Sequence, residues 1–149
     1  MILLLFIGKV VQINLKNLIE NIKESEGFVE HVYNDSLGIP TIGYGFAIKD
    51  LILDEDLAEE ILIRKVKKLV ERVDRKFDWF NIAHDDVKEV VVEMCYQLGL
   101  TGFSKFKKTI SYIENKNYEA ASVEMLDSKW ARQTPNRAIK LSKIVKSAG

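Results

Sequence analysis

The stretch ESEGFVEHVYNDSLGIPTIGYG, residues 24–45, decides the fold of the first third of this chain. A helical segment ends at Glu26-Gly27, since glycine permits a break in the helix. β-branched and aromatic residues follow, then a turn sequence around Asp35, then a second β-forming run from Thr41. The stretch predicts a small sheet, with one carboxylate at a helix end and a second one in a turn.

The two strands of this sheet are predicted over residues 28–34 and 41–48. Between them lies Asn34-Asp35-Ser36-Leu37-Gly38, which has the composition of a turn. Asparagine and aspartate side chains bond the local backbone, and glycine accepts a positive φ. The rest of the chain has the hydrophobic periodicity of helices, predicted over residues 14–24, 54–75, 85–98, 105–114, 118–126 and 135–146.

End signals support several of these helices. Asn14 and Thr134 are expected N-caps, and Gly99 is an expected C-cap. The long helix over 54–75 starts with acidic residues and ends with basic ones, which matches the helix dipole. Its buried face is predicted at the apolar positions Leu57, Ile61, Leu62, Val66, Leu69, Val70 and Val73.

Three polar side chains of the opening stretch can converge on one cleft, because Glu26, Asp35 and Thr41 come from different elements. Two carboxylates in different environments are what glycoside hydrolysis needs, one as an acid and one as a base or nucleophile. The residues alone leave the alternative open, since any amphipathic helix that leads into a hairpin offers a Glu and an Asp.

Two separate blocks of the sequence resemble the phage-type lysozymes, glycoside hydrolase family 24. The similarity runs in the right order over roughly residues 14–146. The first block comprises Glu26-Gly27, Tyr33, Asp35, Gly38 and Thr41-Ile42-Gly43-Tyr44-Gly45, and the second comprises Met94-Cys95-Tyr96-Gln97-Leu98-Gly99, Thr101-Gly102-Phe103, Trp130 and Gln133-Thr134-Pro135-Asn136-Arg137-Ala138.

The resemblance implies an α+β fold, mostly helical and two-lobed, in a single lysozyme domain over residues 14–149. Residues 1–13 are left as an apolar N-terminal extension. Within the domain, the resemblance implies a sheet lobe over about 25–53, a connecting helix over about 54–75, and a helical lobe over about 76–149 that also takes the helix 14–24.

The resemblance also implies a muramidase that cleaves the β-1,4 bond between N-acetylmuramic acid and N-acetylglucosamine in peptidoglycan, with no cofactor and no metal. Glu26 corresponds to the family's general acid, a role that asks for burial of its carboxyl group. Asp35 and Thr41 correspond to the residues that hold the attacking water in an inverting reaction. The implied substrate-binding residues are Tyr96, Gln97, Gln133 and Arg137, whereas Trp130 is expected in the core.

The sequence departs from the family at one pair of positions. Phe46 stands where the family often has histidine, and Lys65 falls near the aspartate that pairs with that histidine. Both partners are missing together, so we expect an effect on stability rather than on the chemistry. His31 and His84 are then isolated, and we expect them to be surface residues rather than metal ligands.

Composition narrows the possible partners. The net charge is zero, from 22 basic and 22 acidic residues. Residues 1–99 carry a charge of −6 and residues 100–149 carry +6. The basic part can attract an anionic wall polymer, and no recognition motif for nucleic acid accompanies it.

Cys95 is the single cysteine of the sequence, so no internal disulfide forms, and its apolar neighbours predict a buried thiol.

The first dozen residues are strongly apolar, but the run is too short to span a bilayer. It lacks the basic start and the cleavage site of a secretory signal. Three interpretations of this segment remain open: a strand or helical extension packed on the body, a vestigial export signal, or a misassigned start.

We expect a monomer that is made in the host cytoplasm and acts on the cell wall or in the periplasm. The alternative is a non-catalytic lysozyme-like module that binds the wall or forms part of a phage particle.

Overall fold

The computed structural model describes the backbone of residues 2–6 and 8–149, and the side chains of residue 8 and of residues 10–149. The chain divides into two compact units, residues 1–54 and residues 55–149. The first unit contains all five strands of the described residues and one helix, and the second is helical. The α+β, mostly helical class predicted from the sequence is confirmed.

Unit 1 begins with a two-stranded antiparallel hairpin, β1 (Ile2–Phe6) and β2 (Lys9–Ile13). The side chains of β1 fall outside the described residues, and so does the expectation that this segment packs on the body. On β2, Val10 and Val11 are exposed. The extension thus contains two paired strands rather than a helix.

Helix α1 (Leu15–Glu26) follows the hairpin and extends two residues beyond the predicted range of 14–24, up to the predicted break at Gly27. The Asn14 side chain accepts a hydrogen bond from the Asn17 amide and so caps the N-terminus. Gly27 closes the helix with a φ of 70°. The helix belongs to the same compact unit as the sheet, although the resemblance assigns it to the helical lobe.

The main sheet has three antiparallel strands, β3 (Val29–Asn34), β4 (Pro40–Gly43) and β5 (Phe46–Ala47). The prediction of one continuous strand over residues 41–48 was wrong. Gly43 and Gly45 both have positive φ, of 68° and 75°, so the chain turns back at Tyr44-Gly45. This turn makes β4 the central strand, paired with β3 on one side and β5 on the other.

Unit 2 starts with the long helix α2 (Glu55–Lys76), close to its predicted limits. Its predicted buried face is only partly correct. Val73 is fully buried, and Leu69 and Val70 pack against the core. Leu57, Ile61 and Leu62 are exposed. The core of unit 2 lies against the C-terminal part of this helix, so periodicity identifies the apolar face without showing how far along the helix it is covered.

The other helices of unit 2 enclose its core. They are α3 (Asp85–Phe103), α4 (Lys107–Glu114), α5 (Tyr118–Leu126), α6 (Lys129–Gln133) and α7 (Pro135–Ser147). Gly99 interrupts α3 with a φ of 75° and a ψ of 158°, at the position predicted for a C-cap. Thr134 precedes α7 but does not cap it, because its hydroxyl donates to the Trp130 carbonyl instead.

The fully buried core residues of unit 2 include aromatic, aliphatic and sulfur-containing side chains, among them Phe103, Met94, Met125, Leu141, Val87 and Val145. Over the part of the chain that the structure describes, none of the helices has the length and hydropathy of a bilayer span.

Candidate active site

Glu26 is the last residue of α1, and its side chain reaches the turn between β4 and β5. An ideal Cβ atom built on Gly45 would lie only 2.5 Å from Glu26 Oε2. The carboxylate therefore occupies the space that a side chain at position 45 would take. Glu26 is exposed, so the burial expected for a general acid is not present in the protein alone.

Asp35 lies in the turn between β3 and β4, and its two carboxylate oxygens differ in their surroundings. Oδ1 accepts hydrogen bonds from the Leu37 amide at 2.8 Å and from the Ile39 amide at 2.9 Å. These bonds close the turn and fix the direction of the carboxylate. Among the described residues, Oδ2 has no hydrogen-bond partner, so it is available to accept a proton.

Thr41 is the second residue of β4 and is 4% exposed. Its hydroxyl donates to the Ile39 carbonyl oxygen at 2.9 Å. A hydroxyl has one hydrogen and two acceptor lone pairs, so Thr41 Oγ1 faces any nearby water as an acceptor. Thr41 pairs with Tyr33 of β3, and Asp35 directly follows that strand. The sheet thus holds the base candidate and the hydroxyl at the same end of the β3–β4 hairpin.

The remaining predicted site residues belong to unit 2, where Gln97 has a defined partner. Its side-chain oxygen accepts a hydrogen bond from Trp130 Nε1 at 2.9 Å. Trp130 is buried, as expected from the sequence, with its ring edge-on to Phe106. A buried indole thus holds the side-chain oxygen of Gln97, and the two amide hydrogens can act as donors to another group.

Tyr96, Gln133 and Arg137 lie at different places on unit 2. Tyr96 is exposed beside an apolar groove of about 490 Å³. Gln133 lines another cavity of about 550 Å³, together with Trp130. Arg137 forms an ion pair with Glu93, with Nε 3.4 Å from Oε1. Tyr96 and Gln133 thus line two different cavities, and Arg137 lines neither of the two.

The cysteine, the two histidines and Phe46 lie outside the proposed site. Cys95 is buried, and this burial raises the pKa of its thiol to about 12. His31 is exposed, and the His84 side chain accepts from the Asp86 amide at the start of α3. No group of acidic, histidine or cysteine side chains in the described residues could hold a metal ion. Phe46, at the position where the family often has histidine, packs edge-on against Tyr44.

Sequence reasoning missed two features of the site. The contact of Glu26 with Gly45 links residues on different elements, and its only trace in the sequence is a glycine in the Gly-Tyr-Gly motif. The Gln97–Trp130 bond joins residues 33 positions apart. Such a separation leaves no periodic signal.

Comparison with known proteins places these features in context. The family profile described as "Phage lysozyme" matches residues 23–145. A Dictyostelium discoideum protein named "Probable T4-type lysozyme 2" is 28% identical over 83% of this chain and 90% of its own length. A second protein of that organism, "Probable T4-type lysozyme 1", is 32% identical over 40% of this chain and 35% of its own length.

Proposed function

Because the chain belongs to the phage lysozyme family, and is thus a hydrolase that acts on peptidoglycan, we propose that Glu26, Asp35 and Thr41 carry out the hydrolysis. The bond cleaved is the β-1,4 bond between N-acetylmuramic acid and N-acetylglucosamine. The observation that supports the proposal is that Asp35 and Thr41 lie at the same end of the β3–β4 hairpin, each with an oxygen that can accept a hydrogen bond.

In the proposed reaction Glu26 donates a proton to the glycosidic oxygen as the bond to the anomeric carbon breaks. A water molecule gives one hydrogen to Asp35 Oδ2 and directs its other hydrogen to Thr41 Oγ1. Its free lone pair then attacks the anomeric carbon from the opposite face. The proton passes to Asp35, and exchange with solvent returns both carboxyl groups to their starting states.

This scheme predicts inversion, since water attacks directly and no bond forms between the sugar and the protein. It requires the two carboxyl groups to stand roughly 6.5–9.5 Å apart, leaving room for the water. The exposed carboxyl of Glu26 needs a drier environment to act as an acid, and in our proposal the bound glycan supplies it by displacing water.

In unit 2 we assign substrate contacts to Tyr96, Gln97, Gln133 and Arg137. The fixed amide of Gln97 presents its hydrogens as donors, which suits the carbonyl oxygens of N-acetyl groups. The protein acts as a monomeric endolysin that is made in the host cytoplasm and reaches the wall by an export route still to be defined. The basic residues of 100–149 can attract the anionic wall polymer, and no recognition motif for nucleic acid accompanies them.

The test uses four purified variants and a soluble peptidoglycan fragment. Glu26→Gln removes the acid, and Asp35→Asn removes the base while the amide oxygen keeps both backbone hydrogen bonds. Each should lower kcat by at least about 100-fold. Thr41→Val removes the hydroxyl at constant shape, whereas Thr41→Ser, the matched control, retains it, so the serine variant should be the more active.

Two further readouts separate this mechanism from its rivals. NMR spectra recorded early in the reaction should show the α-anomer as the first product, and a β-anomer would contradict inversion. Release of reducing ends by the parent protein distinguishes an enzyme from a non-catalytic wall-binding module, which would sediment with walls without cutting them. Parent-level activity of Glu26→Gln would exclude the acid role.

A further inference from the structure

We infer that Gly45 is a positioning residue for Glu26, an inference that rests on the proposed acid role of that glutamate. The absence of a side chain at position 45 leaves the space in which the Glu26 carboxyl group lies. The glycine therefore fixes where the proton is delivered, although it contributes no chemical group of its own.

The distances show how closely the two residues approach. A Cβ atom on Gly45 would lie 2.5 Å from Oε2, 3.0 Å from Cδ and 3.6 Å from Cγ of Glu26. Ordinary contacts of a Cβ atom begin at 3.4 Å. An alanine at position 45 would thus push the reactive oxygen away by about 0.9 Å. Misplacement of a reacting group by about 1 Å can cost on the order of 100-fold in rate.

Other glycines show that the backbone conformation alone does not account for this contact. Gly99 has the same φ of 75° as Gly45, yet a Cβ atom there would meet nothing within 4 Å. Gly43 is in the same hairpin with a φ of 68°, and a Cβ atom there would meet the Phe46 ring at 2.8 Å. Gly45 is the glycine of the described residues whose added Cβ would meet a proposed reacting group.

These differences provide matched controls. Gly45→Ala should lower kcat by about 100-fold while KM for a soluble peptidoglycan fragment changes less than about threefold. Gly99→Ala places a side chain at the same positive φ without the contact. Gly43→Ala disturbs the same hairpin, but its clash falls on a half-exposed ring that can move. Both controls should keep more than about a third of the parent kcat in the folded fraction, as judged by circular dichroism and amide NMR spectra.

A double variant tests the direct contact between the two residues. Aspartate is one methylene shorter than glutamate, so Glu26→Asp withdraws the carboxyl from the methyl group of Gly45→Ala. The rate loss of the double variant should therefore be smaller than the product of the two single losses. A merely structural role of Gly45 predicts independent, multiplicative losses.

The outcomes separate this inference from the proposed function. If Gly45→Ala loses no more kcat than Gly43→Ala and Gly99→Ala, while Glu26→Gln is inactive, Gly45 does not position the acid. The positioning role is likewise excluded if the losses of the double variant multiply. If Glu26→Gln keeps parent activity, the acid role itself fails, and the positioning role fails with it.

Discussion

Replacement of Thr109 by valine should stabilise this protein. Thr109 is on α4 and is 1% exposed, and its Oγ1 has no hydrogen-bond partner within the described residues. A buried hydroxyl without a partner loses its bond to water on folding and gains nothing in return, at a cost of about 1–3 kcal/mol. Valine has nearly the same shape and helix propensity, and it has no polar atom to desolvate.

We expect the free energy of unfolding of Thr109→Val to rise by about 1–2 kcal/mol. This gain is smaller than the full cost of an unpartnered hydroxyl, because a buried site can relax slightly. The melting temperature should rise by several degrees, at roughly 2–4 °C for each kcal/mol in a chain of this size. Both tryptophans, Trp79 and Trp130, are buried in unit 2. Their fluorescence during urea unfolding therefore reports on the unit that contains the substitution.

The matched control is Thr134→Val, the same change at a hydroxyl that does have a partner. Thr134 Oγ1 donates to the Trp130 carbonyl oxygen at 3.0 Å. Its loss should destabilise the protein by about 0.5–1.5 kcal/mol. An unchanged or lower urea midpoint for Thr109→Val, at an unchanged slope, would refute the reasoning, since it would mean that the hydroxyl is satisfied in solution.

Three other features of the chain lead to predictions. The Cys95 thiol, whose pKa is raised to about 12 by burial, should react with a thiol reagent at pH 8 only as the protein unfolds, and prompt labelling of the native protein would contradict this burial. The pKa of this thiol in the folded protein lies above its ordinary value of 9.0, so between pH 9 and about 12 the thiol ionises more readily in the unfolded chain and stability falls as the pH rises. Cys95→Ala should therefore lose less stability than the parent protein over that interval, as measured by urea titrations. Trp130→Phe keeps an aromatic ring but removes the hydrogen bond that holds the Gln97 amide, a proposed substrate contact, so it should raise KM more than it lowers kcat. An unchanged KM would show that Gln97 is fixed by other contacts. Removal of residues 1–11 should leave the specific activity of the folded protein nearly unchanged, since the residues of the proposed mechanism lie later in the chain, whereas a folded but inactive truncation would show that the hairpin shapes the site.

Local signals predicted most helices and the turn at Asp35. The Asn14 cap, the Gly27 end and the break at Gly99 follow from side-chain hydrogen bonding and from the freedom of glycine at positive φ. The bonds of Asp35 to its own turn are those that this residue type makes in turns. These features depend on neighbours within a few residues, which is why the sequence contains them.

Features that depend on distant residues could not be predicted in the same way. The turn at Tyr44-Gly45 lacks Asn and Asp, and its tyrosine and the following Phe46 have the composition of a strand. The five-residue helix α6 is too short for a periodic signal. The exposed Leu57 and the fixed Gln97 depend on which elements pack nearby, which spacing along the chain does not encode. The identities of the site residues came from family resemblance, and their roles stay predictions.

The three groups of the proposed reaction lie within sixteen residues, from Glu26 to Thr41, and in one compact unit. A genetic crossover at Asp54 would therefore transfer the acid, the base and the water-holding hydroxyl to a recombinant chain as one inherited block. Tyr96, Gln97, Gln133 and Arg137 would segregate with the other parent. Chimaeras between relatives joined at this boundary should therefore keep the three groups of the proposed reaction together, whichever parent supplies unit 2.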